Sequence, residues 1–526
     1  MLTDNLLTIK EASLWASRYL DKPVSISNIS YLLQYGKVSK IKKDNELLIN
    51  IDELAQYYKI INQHKEYNWK NKLGHDLNWA LSFSQFKEAE TTKHVHRLHP
   101  YKGKFIPQLV EYFLDSHTDD FKKERFFKEG DIILDPFCGS GTALVESNEL
   151  GLHAVGVDIS AFNALISNAK IYSYDVADIR REINRISDAL RKFLEDKKNI
   201  EFENKLLGEL KIFNDKYFPS PDFRRMVAQK EIDEKKYGLQ KEAEFLPVYE
   251  KLVKCYGIDL KIGQNSFFDK WFLKVIRDEI YFVFELIKPV QNKYTKIILS
   301  IILSRTIRSC RATTHSDLAT LINPVTSTYY CKKHGKICKP LFSIFGWWDR
   351  YTKDTLKRIS EFDKLRTDTY QKCLTGDSRV IDIFSELRLR YDKFGRLAEK
   401  QKIAGIFSSP PYVGLINYHE QHAYSYDLFG FKRNDNLEIG PLIKGQGKEA
   451  RESYVKGIAS VLKNCRRFLI EDYSIFLVAN DKYNLYPEIA EKSEMAIVNR
   501  FKRPVLNRTE KDKAPYSEII FHLKRK

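Results

Sequence analysis

The stretch Asp131-Ile-Ile-Leu-Asp-Pro-Phe-Cys-Gly-Ser-Gly-Thr142 decides the fold class of this chain. Its apolar start, Asp131 to Leu134, is typical of a short strand, and its glycines form a turn before a predicted helix, Thr142 to Leu150. Such a turn lets a ligand approach the backbone closely, and the helix N-terminus offers free amide groups. A second predicted strand, Ala154 to Val157, follows the helix. This order of strand, turn, helix and strand predicts an α/β sheet.

Each of these strands ends in an acid. Asp135 ends the first strand, and Asp158 ends the second about twenty residues further on, where a carboxylate can hold both hydroxyls of a ribose. The glycines alone are a weak signal, because a bare strand, turn and helix can be structural or can bind nucleotides of several kinds. A phosphate-binding loop is excluded, since no Gly-Lys-Ser/Thr follows the turn.

A second string, Ala404-Gly-Ile-Phe-Ser-Ser-Pro-Pro-Tyr412, runs from a predicted apolar strand, Ile403 to Phe407, into two prolines. The prolines lock the backbone and remove amide hydrogens, which leaves carbonyl groups as acceptors only. This pattern suits a ligand that donates N–H hydrogen bonds. An isolated Ser-Pro-Pro-Tyr is more often a rigid turn with a buried tyrosine, but the first string favours the functional interpretation here.

Together the two strings resemble the motifs of the S-adenosylmethionine-dependent DNA amino-methyltransferases, the N4-cytosine and N6-adenine family of the Ser-Pro-Pro-Tyr type. The resemblance covers residues 92–170 and 373–526, and the string Asp135 to Thr142 also occurs in a few RNA enzymes. It implies a Rossmann-like methyltransferase sheet that is split by a long, mainly helical insertion. It also implies a site-specific DNA methyltransferase that uses S-adenosyl-L-methionine.

The resemblance assigns cofactor contacts to both halves of the sheet. Asp135 would face the methionine amino end, Asp158 the ribose, and Asp377, in Thr375-Gly-Asp377, the adenine amino group. The string His99 to Pro107 would close the methionine side. A surface turn explains the Gly-Asp pair nearly as well. The predicted cofactor-binding residues are Lys104, Phe105, Asp135, Phe137, Gly139, Ser140, Gly141, Thr142, Asp158 and Asp377.

The predicted catalytic residues are Ser409, Pro410, Pro411 and Tyr412. The exocyclic nitrogen of a base is a poor nucleophile, because its lone pair is delocalised into the ring. Acceptors at Ser409 and the Pro410 carbonyl would take its two N–H bonds and aim the lone pair at the methyl group. Tyr412 would stack on a base swung out of the duplex. In the family, serine at the position of Ser409 usually accompanies N4 of cytosine, and Asp or Asn usually accompanies adenine, so we predict a cytosine-N4-specific enzyme.

Three alternatives to this activity stay open. The first is transfer to N6 of adenine by the same kind of site. The second is an RNA guanine-amino methyltransferase, which can share the first string but usually carries an acid where Ser409 stands. The third is a DNA-binding regulator with an inactive methyltransferase fold, against which the intact Asp135 and Asp158 count.

The charge of the chain favours double-stranded DNA as the partner. The net charge is +17 and the pI is about 9.2, and neutralised phosphates release condensed counterions. Residues 293–339 contain nine Lys and Arg residues against one acid, and residues 500–526 contain nine against three. Arg305, Arg308, Arg311, Lys332 and Lys333 are therefore candidates for DNA reading, with a solvated basic face as the alternative.

Cysteine usage and hydropathy predict a cytoplasmic protein without a membrane segment. Seven cysteines, an odd number, are scattered along the chain, and no apolar leader follows Met1. The longest apolar stretch, Ile297 to Leu303, is far shorter than a membrane span. We find no convincing nuclease motif, so a restriction endonuclease in a restriction-modification or related defence system would be a separate chain.

The first 60 residues predict a small module of their own. A helix capped near Thr8 runs through Leu20, a second covers Ser27 to Tyr35, a basic hairpin covers Lys37 to Ile49, and a short helix covers Asp52 to Tyr58. This order resembles the excisionase-like winged helix-turn-helix modules that read DNA. A helical cap with a lysine-bearing surface hairpin is the alternative.

The remaining chain is predicted as four parts. Residues 61–90 form a polar connector, 91–170 the cofactor half of the methyltransferase core, 171–370 the insertion and candidate target-recognition region, and 371–526 the catalytic half. Within the insertion, Cys310, Cys331, His334 and Cys338 could supply four zinc ligands. Their spacing is not a common zinc pattern, and cysteine is often simply buried, so we predict no metal.

Overall fold

The computed structural model describes residues 5–20, 24–34, 36–43, 46–101, 103–195, 198–315, 323–415, 422–506 and 514–526. The chain divides into two compact units. The larger unit contains residues 92–219, 233–500 and 520–526, and the smaller contains residues 1–91, 220–232 and 501–519. The five-part division predicted from the sequence stays a prediction.

Helices and strands alternate in the larger unit as an α/β fold requires. Over the described residues, the strands are β1 Leu6–Thr8, β2 Ile41–Lys43, β3 Glu46–Asn50, β4 Ile132–Asp135, β5 His153–Asp158, β6 Tyr329–Cys331, β7 Lys336–Cys338, β8 Gln371–Thr375, β9 Ile403–Ser408, β10 Leu469–Ala479, β11 Met495–Pro504 and β12 Ser517–Arg525. The helices of the same residues are α1 Ile9–Tyr19, α2 Ile26–Gln34, α3 Ile51–Leu73, α4 Pro107–Leu114, α5 Thr142–Glu149, α6 Ala161–Ile171, α7 Val176–Glu195, α8 Asn199–Tyr217, α9 Asp222–Ala228, α10 Glu234–Tyr256, α11 Phe267–Trp271, α12 Lys274–Ile287, α13 Lys293–Ser309, α14 Phe345–Asp363, α15 Ile383–Arg390, α16 Asp392–Gln401, α17 Ala423–Phe429, α18 Lys448–Arg466 and α19 Tyr486–Lys492.

A central seven-stranded sheet confirms the predicted α/β class, and its largely parallel pairing is that of a Rossmann-like methyltransferase. The strand order is β11-β12-β10-β9-β4-β5-β8, and the four pairs between β10 and β8 are parallel. The chain runs outward from β4 through β5 to β8 and then returns to the other side of β4 as β9. Ligands bind at the carboxyl edge of such a sheet where the strand order reverses, which here lies between β4 and β9.

The central strands form because their side chains are apolar on both faces. Every residue of β4 and β9 is buried, as expected for parallel strands that are covered on both sides. Gly405 permits the close approach of β10, since a Cβ atom there would lie 2.1 Å from the Ser474 carbonyl oxygen. The sequence predicted β4, β5, β9, β10 and β12 within a few residues. It missed β8 and β11, whose polar residues hide the alternation of a strand.

The chain between the neighbouring strands β5 and β8 is mainly helical, as the sequence predicts. It contains the helices from α6 to α14 and the short hairpin of β6 and β7. Its assignment as a target-recognition insertion stays a prediction.

The amino-terminal elements follow the predicted order, with different lengths. Thr8 caps α1, since its hydroxyl accepts from the Glu11 amide and its own amide donates to the Glu11 carboxylate at 2.9 Å. β1, which the sequence did not predict, pairs with β3 beside the hairpin. The short helix predicted to end at Tyr58 is wrong in length, because α3 continues to Leu73 and takes part of the predicted connector. Residues 44–45, between the two strands of the predicted hairpin, lie outside the described residues, and the winged helix-turn-helix role stays a prediction.

Candidate active site

The carboxyl edge of the sheet brings the two sequence strings together. In the parallel register, Asp135 at the end of β4 lies opposite Gly156 of β5, while Leu134 lies opposite Ile406 of β9. Asp158 at the end of β5 lies opposite Thr375 of β8 in the same way. The acids, the glycine turn and the Ser-Pro-Pro-Tyr string therefore leave the sheet on one side.

The glycine turn needs glycine at both of its predicted positions. Gly139 and Gly141 have φ values of +52° and +75°, which a side chain rarely tolerates. A Cβ atom at Gly139 would also lie 3.1 Å from the Tyr101 ring, and one at Gly141 would lie 2.9 Å from the Ser167 Cβ. The turn is thus held between Tyr101 and α6, with Gly141 as the N-cap of α5.

Asp158 is tied to the turn by hydrogen bonds from three partners. Its Oδ2 accepts from the Gly139 amide at 2.8 Å, and its Oδ1 accepts from the Ser160 amide at 2.8 Å and the Asn163 side chain at 3.1 Å. Burial raises the pKa of Asp158 to about 6, against the opposing effect of these hydrogen bonds. The carboxylate is therefore oriented before any ligand arrives.

Asp135 has a partner in the catalytic half of the sheet. The Ser408 hydroxyl donates to its Oδ1 at 2.5 Å, and the Phe137 amide donates to the same oxygen at 3.2 Å. Burial raises the pKa of Asp135 to about 7, while the Ser408 hydrogen bond works against that shift and nearby Asp158 adds to it. Ser409 was predicted as a site residue and Ser408 was not, because the sequence offers no signal for Ser408 beyond the Ser-Ser pair.

A cleft opens at this edge, and its empty space together with the open solvent at its entrance is about 910 Å³. Its wall contains most of the predicted site residues, namely Lys104, Phe105, Asp135, Phe137, Gly139, Ser140, Thr142, Asp158, Asp377, Ser409 and Pro411. Three predicted residues that the structure describes, Gly141, Pro410 and Tyr412, are not part of that wall. Tyr101, Ser160 and Asn163 also line the cleft, and the sequence analysis did not select them.

The cleft wall contains buried polar atoms whose hydrogen-bonding capacity is not used by the described residues. Ser140 Oγ, Thr142 Oγ1 and Asn163 Oδ1 are buried and have no hydrogen-bond partner among the described residues. Such orphaned groups are costly unless a ligand or water satisfies them. S-adenosylmethionine, with its amino, carboxylate, ribose and adenine groups, offers both donors and acceptors, so the wall fits this cofactor.

The string from His99 to Pro107 contributes one charged and one aromatic residue to the wall. The Lys104 ammonium donates to the His96 carbonyl oxygen at 2.8 Å, and burial, assisted by Arg358 and Arg97, lowers its pKa to about 8. Phe105 packs edge-on against Phe407 of β9, with ring centroids 5.4 Å apart. The string is thereby anchored to the sheet.

Hydrogen bonds connect the segment that contains the Gly-Asp pair, directly after β8, to the ends of β5 and β4. The Gly376 amide donates to the Asp158 carbonyl oxygen at 2.9 Å, and the Ser378 hydroxyl donates to the Pro136 carbonyl oxygen at 2.7 Å. Asp377 accepts from the Arg379 guanidinium at 2.6 and 2.8 Å. Burial opposes ionisation of Asp377, but these hydrogen bonds hold its pKa below the usual value. The pair therefore lies in the cleft wall, and its contact with the adenine amino group stays a prediction.

The Ser-Pro-Pro-Tyr string continues β9 at the mouth of the cleft. The Ser409 hydroxyl donates to the Val478 carbonyl oxygen of β10 at 3.1 Å, so the lone pairs of Ser409 remain as acceptors. Pro410 is buried, whereas Pro411 and Tyr412 are half-buried. Residues 417–420, which follow the string, lie outside the described residues. Tyr426 packs on the cofactor side, with its hydroxyl 3.0 Å from Ser160 Oγ.

Two of the five basic residues predicted to read DNA are structural. The Arg305 guanidinium is buried and pairs with the Asp354 carboxylate at 2.6 Å. Arg311 is buried too and lies over the Tyr424 ring at 5.3 Å. The prediction was wrong for both, because charge counts do not distinguish buried from exposed guanidinium groups. Lys332 and Lys333 are exposed.

Comparison with known proteins points to one family. The family model described as DNA methylase (N6_N4_Mtase) matches residues 19–168. The chain is 46% identical over 524 residues to the Type II methyltransferase M.MjaII of Methanocaldococcus jannaschii, covering 99% of this chain and 97% of that protein. It is 32% identical over 127 residues to the Type II methyltransferase M.MvaI of Kocuria varians, which is 24% of this chain and 27% of that protein.

A shorter similarity reaches an RNA enzyme. Over 74 residues the chain is 35% identical to the tRNA (guanine(10)-N2)-dimethyltransferase of Methanocaldococcus jannaschii, which covers 14% of this chain and 21% of that protein. The full-length similarity therefore lies with the DNA enzyme. Within the described part of the chain, none of the helices combines the length and the apolar character that a membrane crossing needs.

Proposed function

Because the chain belongs to the Type II DNA methyltransferases, an amino-methyltransferase family, we propose that it methylates N4 of cytosine at a specific site in double-stranded DNA. The observation that carries the base assignment is Ser409. Its hydroxyl proton is directed to the Val478 carbonyl at 3.1 Å, so its oxygen faces a substrate as a neutral acceptor.

Methyltransferases of this family use S-adenosylmethionine, which supplies an electrophilic methyl group on a sulfonium centre when bound. Asp158, already oriented by Gly139 and Asn163, would hold the ribose hydroxyls. Ionised Asp135 would pair with the methionine ammonium group, since the two opposite charges attract strongly in a buried site. Asp377 would accept from the adenine amino group while Arg379 holds it in place. The orphaned oxygens of Ser140 and Thr142 would accept hydrogen bonds on the inner wall.

The target amine would be held by two acceptors of the catalytic string. Ser409 Oγ would take one N–H bond, and the Pro410 carbonyl oxygen would take the other. This arrangement favours a tetrahedral nitrogen, frees its lone pair from the ring and directs that lone pair at the methyl group. Tyr412 would support the face of the flipped base. No covalent bond between enzyme and base is required.

Cytosine is favoured over adenine by the side chain at position 409. In the resembling enzymes, serine there usually accompanies N4 of cytosine, whereas a carboxylate or amide usually accompanies adenine. Adenine N6 is the second candidate, since the same acceptors can take either amine. A tRNA guanine substrate is disfavoured because the similarity to the tRNA enzyme covers only 14% of this chain.

DNA contact would involve residues 1–60 as a winged helix-turn-helix and the chain between β5 and β8. The exposed Lys332 and Lys333 lie in that second region, where they can reach phosphates. The sequence similarity to a full-length Type II methyltransferase supports a role in a restriction-modification system. The cytoplasmic location and the separate endonuclease chain stay predictions from the sequence.

Nucleoside analysis of methylated plasmid tests the proposal. Purified protein, cofactor and unmethylated plasmid are incubated, and the digested DNA is examined by mass spectrometry and single-molecule sequencing. N4-methylcytosine in one sequence context is the expected product. N6-methyladenine as the sole product would overturn the base assignment alone, whereas 5-methylcytosine would refute the mechanism, since that reaction needs no amine acceptors.

Two adjacent serines provide a matched pair of variants. Ser409→Ala should slow methyl transfer while leaving cofactor affinity nearly intact, because Ser409 contacts β10 and not Asp135. Ser408→Ala should alter cofactor affinity, because its hydroxyl bonds to Asp135. Equal losses of cofactor affinity in both variants would contradict the separate roles.

A further inference from the structure

A compact group of sulfur and nitrogen ligands lies outside the cleft. His315, Cys331, His334 and Cys338 each place one ligand atom so that the four atoms lie within 4.8 Å of one another. None of these four described residues lines the cofactor cleft. Three of them belong to the set of zinc candidates taken from the sequence, but His315 stands where Cys310 was considered.

The hairpin of β6 and β7 positions three of these residues. Cys331 ends β6, and its carbonyl oxygen accepts from the amides of His334 at 3.1 Å and Gly335 at 2.7 Å. This tight turn carries the His334 ring back over the hairpin, where its Nδ1 lies 3.4 Å from Cys338 Sγ at the end of β7. The turn therefore presents two sulfurs and one imidazole on the same side.

His315 reaches the group from the chain that follows α13. Its Nδ1 lies 3.7 Å from Cys331 Sγ and 2.7 Å from the Tyr329 hydroxyl, which also accepts from the His315 amide at 3.2 Å. The two imidazole rings are adjacent, with centroids 4.4 Å apart. Tyr329 thus fixes the His315 ring beside Cys331 Sγ, and a metal ion bound through Nδ1 would replace the hydrogen bond between that nitrogen and Tyr329.

The distances match tetrahedral zinc coordination. With Zn–S near 2.3 Å and Zn–N near 2.0 Å, a tetrahedral angle separates sulfur and nitrogen by about 3.5 Å. The two measured sulfur–nitrogen distances are 3.4 and 3.7 Å. The remaining separations need to contract only modestly from their upper limit of 4.8 Å. Two cysteines and two histidines form a common donor set for structural zinc.

The hairpin is short and is held against α8 and α10, where the Ile337 amide donates to Asn214 Oδ1 at 2.9 Å and the Tyr330 amide donates to Glu242 Oε2 at 2.8 Å. Its strands are three residues each, and its own buried cluster consists of Tyr329, Cys331 and Cys338 with Val325 packed against it. A metal would add to these contacts, since a structural metal is one way in which short segments gain folding free energy.

A second group of potential metal ligands differs from the first because a lysine ammonium group lies among its carboxylates. His94, His96, Glu146 and Glu149 also converge, but the Lys93 ammonium lies 3.2 Å from Glu146 and 2.9 Å from Glu149. That ammonium group already pairs with both carboxylates, so a divalent cation would be placed against a positive charge.

We propose that His315, Cys331, His334 and Cys338 bind one Zn²⁺ ion that fastens the β6–β7 hairpin to the segment following α13. Four protein ligands complete the tetrahedron and leave no position for a substrate, so the site is structural. The proposal does not depend on the base that the enzyme methylates.

Metal analysis of the full-length protein tests this site. The untagged chain, purified under reducing conditions without chelator, should contain one zinc per molecule by mass spectrometry of the metal. Cys331→Ser and Cys338→Ser should each lower zinc content at least tenfold after dialysis. Cys255→Ser, an exposed thiol, and Cys310→Ser, a buried thiol outside the group, are matched controls that should retain full zinc.

Cobalt substitution supplies a readout that needs no variant. The wild-type chain, stripped of metal and reloaded with Co²⁺, should show tetrahedral ligand-field bands and a thiolate-to-cobalt charge-transfer band. Absence of zinc together with absence of that band would overturn the proposal. So would a Cys331–Cys338 disulfide in the freshly purified protein, or zinc that survives in Cys331→Ser and is lost in Glu146→Gln. Loss of zinc in Cys310→Ser with retention in His315→Ala would show that the ligand set is wrong.

Discussion

Ser408→Ala should change how the affinity for S-adenosylmethionine depends on pH. The highest affinity that the variant reaches should change less. Burial raises the pKa of Asp135 to about 7, and the Ser408 hydroxyl, 2.5 Å from Oδ1, resists that shift. Only the ionised carboxylate can pair with the cofactor ammonium group. The contribution of ionised Asp135 to the affinity should therefore be lost as the pH drops through about 7.

The magnitude follows from the lost hydrogen bond. A hydrogen bond to a charged group contributes about 1.5 to 3 kcal/mol, and one pKa unit corresponds to about 1.4 kcal/mol. The midpoint of the affinity profile should then rise by about 1 to 2 pH units in the variant. At a pH below both midpoints the variant should bind about 10- to 100-fold more weakly, whereas the two affinities should converge in alkaline solution.

Isothermal titration calorimetry between pH 5.5 and about 9.5 measures both profiles, a range chosen to bracket a midpoint moved by this amount. Ser409→Ala is the control and should keep the wild-type midpoint, because its hydroxyl contacts the Val478 carbonyl. A midpoint unchanged in Ser408→Ala would refute the coupling between the catalytic strand and Asp135. A uniform loss of affinity at every pH would show that Ser408 acts through packing alone.

Three further predictions concern other parts of the chain. Asp158→Asn should weaken S-adenosylmethionine binding by about 1 to 3 kcal/mol in calorimetry, because an amide cannot accept both ribose hydroxyls, and unchanged affinity would sink the assignment. Removing residues 1–60 should weaken DNA binding and flatten its dependence on salt while cofactor binding survives, and undiminished DNA affinity in a folded truncation would assign the segment another role. Tyr412→Ala should cost about 1 to 3 kcal/mol of base stacking and lower turnover, and a wild-type rate at saturating DNA would exclude stacking as its role.

The sequence predicted the parts of the site that are encoded locally. An apolar run ending in an acid and followed by Gly139 and Gly141 specifies both a strand end and a turn with positive φ, so Asp135 was correctly located. Parallel pairing then places Asp158 and Ser409 at the same edge without further information. Each of these inferences uses residues close in sequence together with one general rule of sheet geometry.

Contacts between distant segments could not be predicted in this way. Ser408 and Asp135 are 273 residues apart, and Ser378 and Pro136 are 242 apart. Nothing in either local sequence specifies these pairs, because they depend on how the whole sheet is assembled. The electrostatic behaviour of Asp135 therefore emerges only from the fold.

The count of basic residues in 293–339 did not identify which of their side chains lie on the surface. Arg305 lies on α13, whose apolar residues face a core, and its guanidinium is buried against Asp354 and over the Tyr351 ring at 4.1 Å. Nothing near it in sequence reveals this acid, which comes 49 residues later. A count of basic residues therefore sets an upper limit on the positive surface, and Lys332 and Lys333 in the hairpin turn are better candidates for phosphate contact.

The end of α13 determines which residue lies beside the proposed zinc ligands of the hairpin. α13 ends at Ser309, and Cys310 caps it, buried, with its amide donating to the Ile307 carbonyl oxygen. The chain must leave the helix before it can reach the hairpin, so His315, five residues later, arrives beside Cys331 where Cys310 cannot. Helix ends are the least certain feature of a sequence-based assignment. The sequence alone therefore could not decide whether Cys310 or His315 joins the hairpin cysteines. The structure decides for His315, which the Tyr329 hydroxyl holds in place.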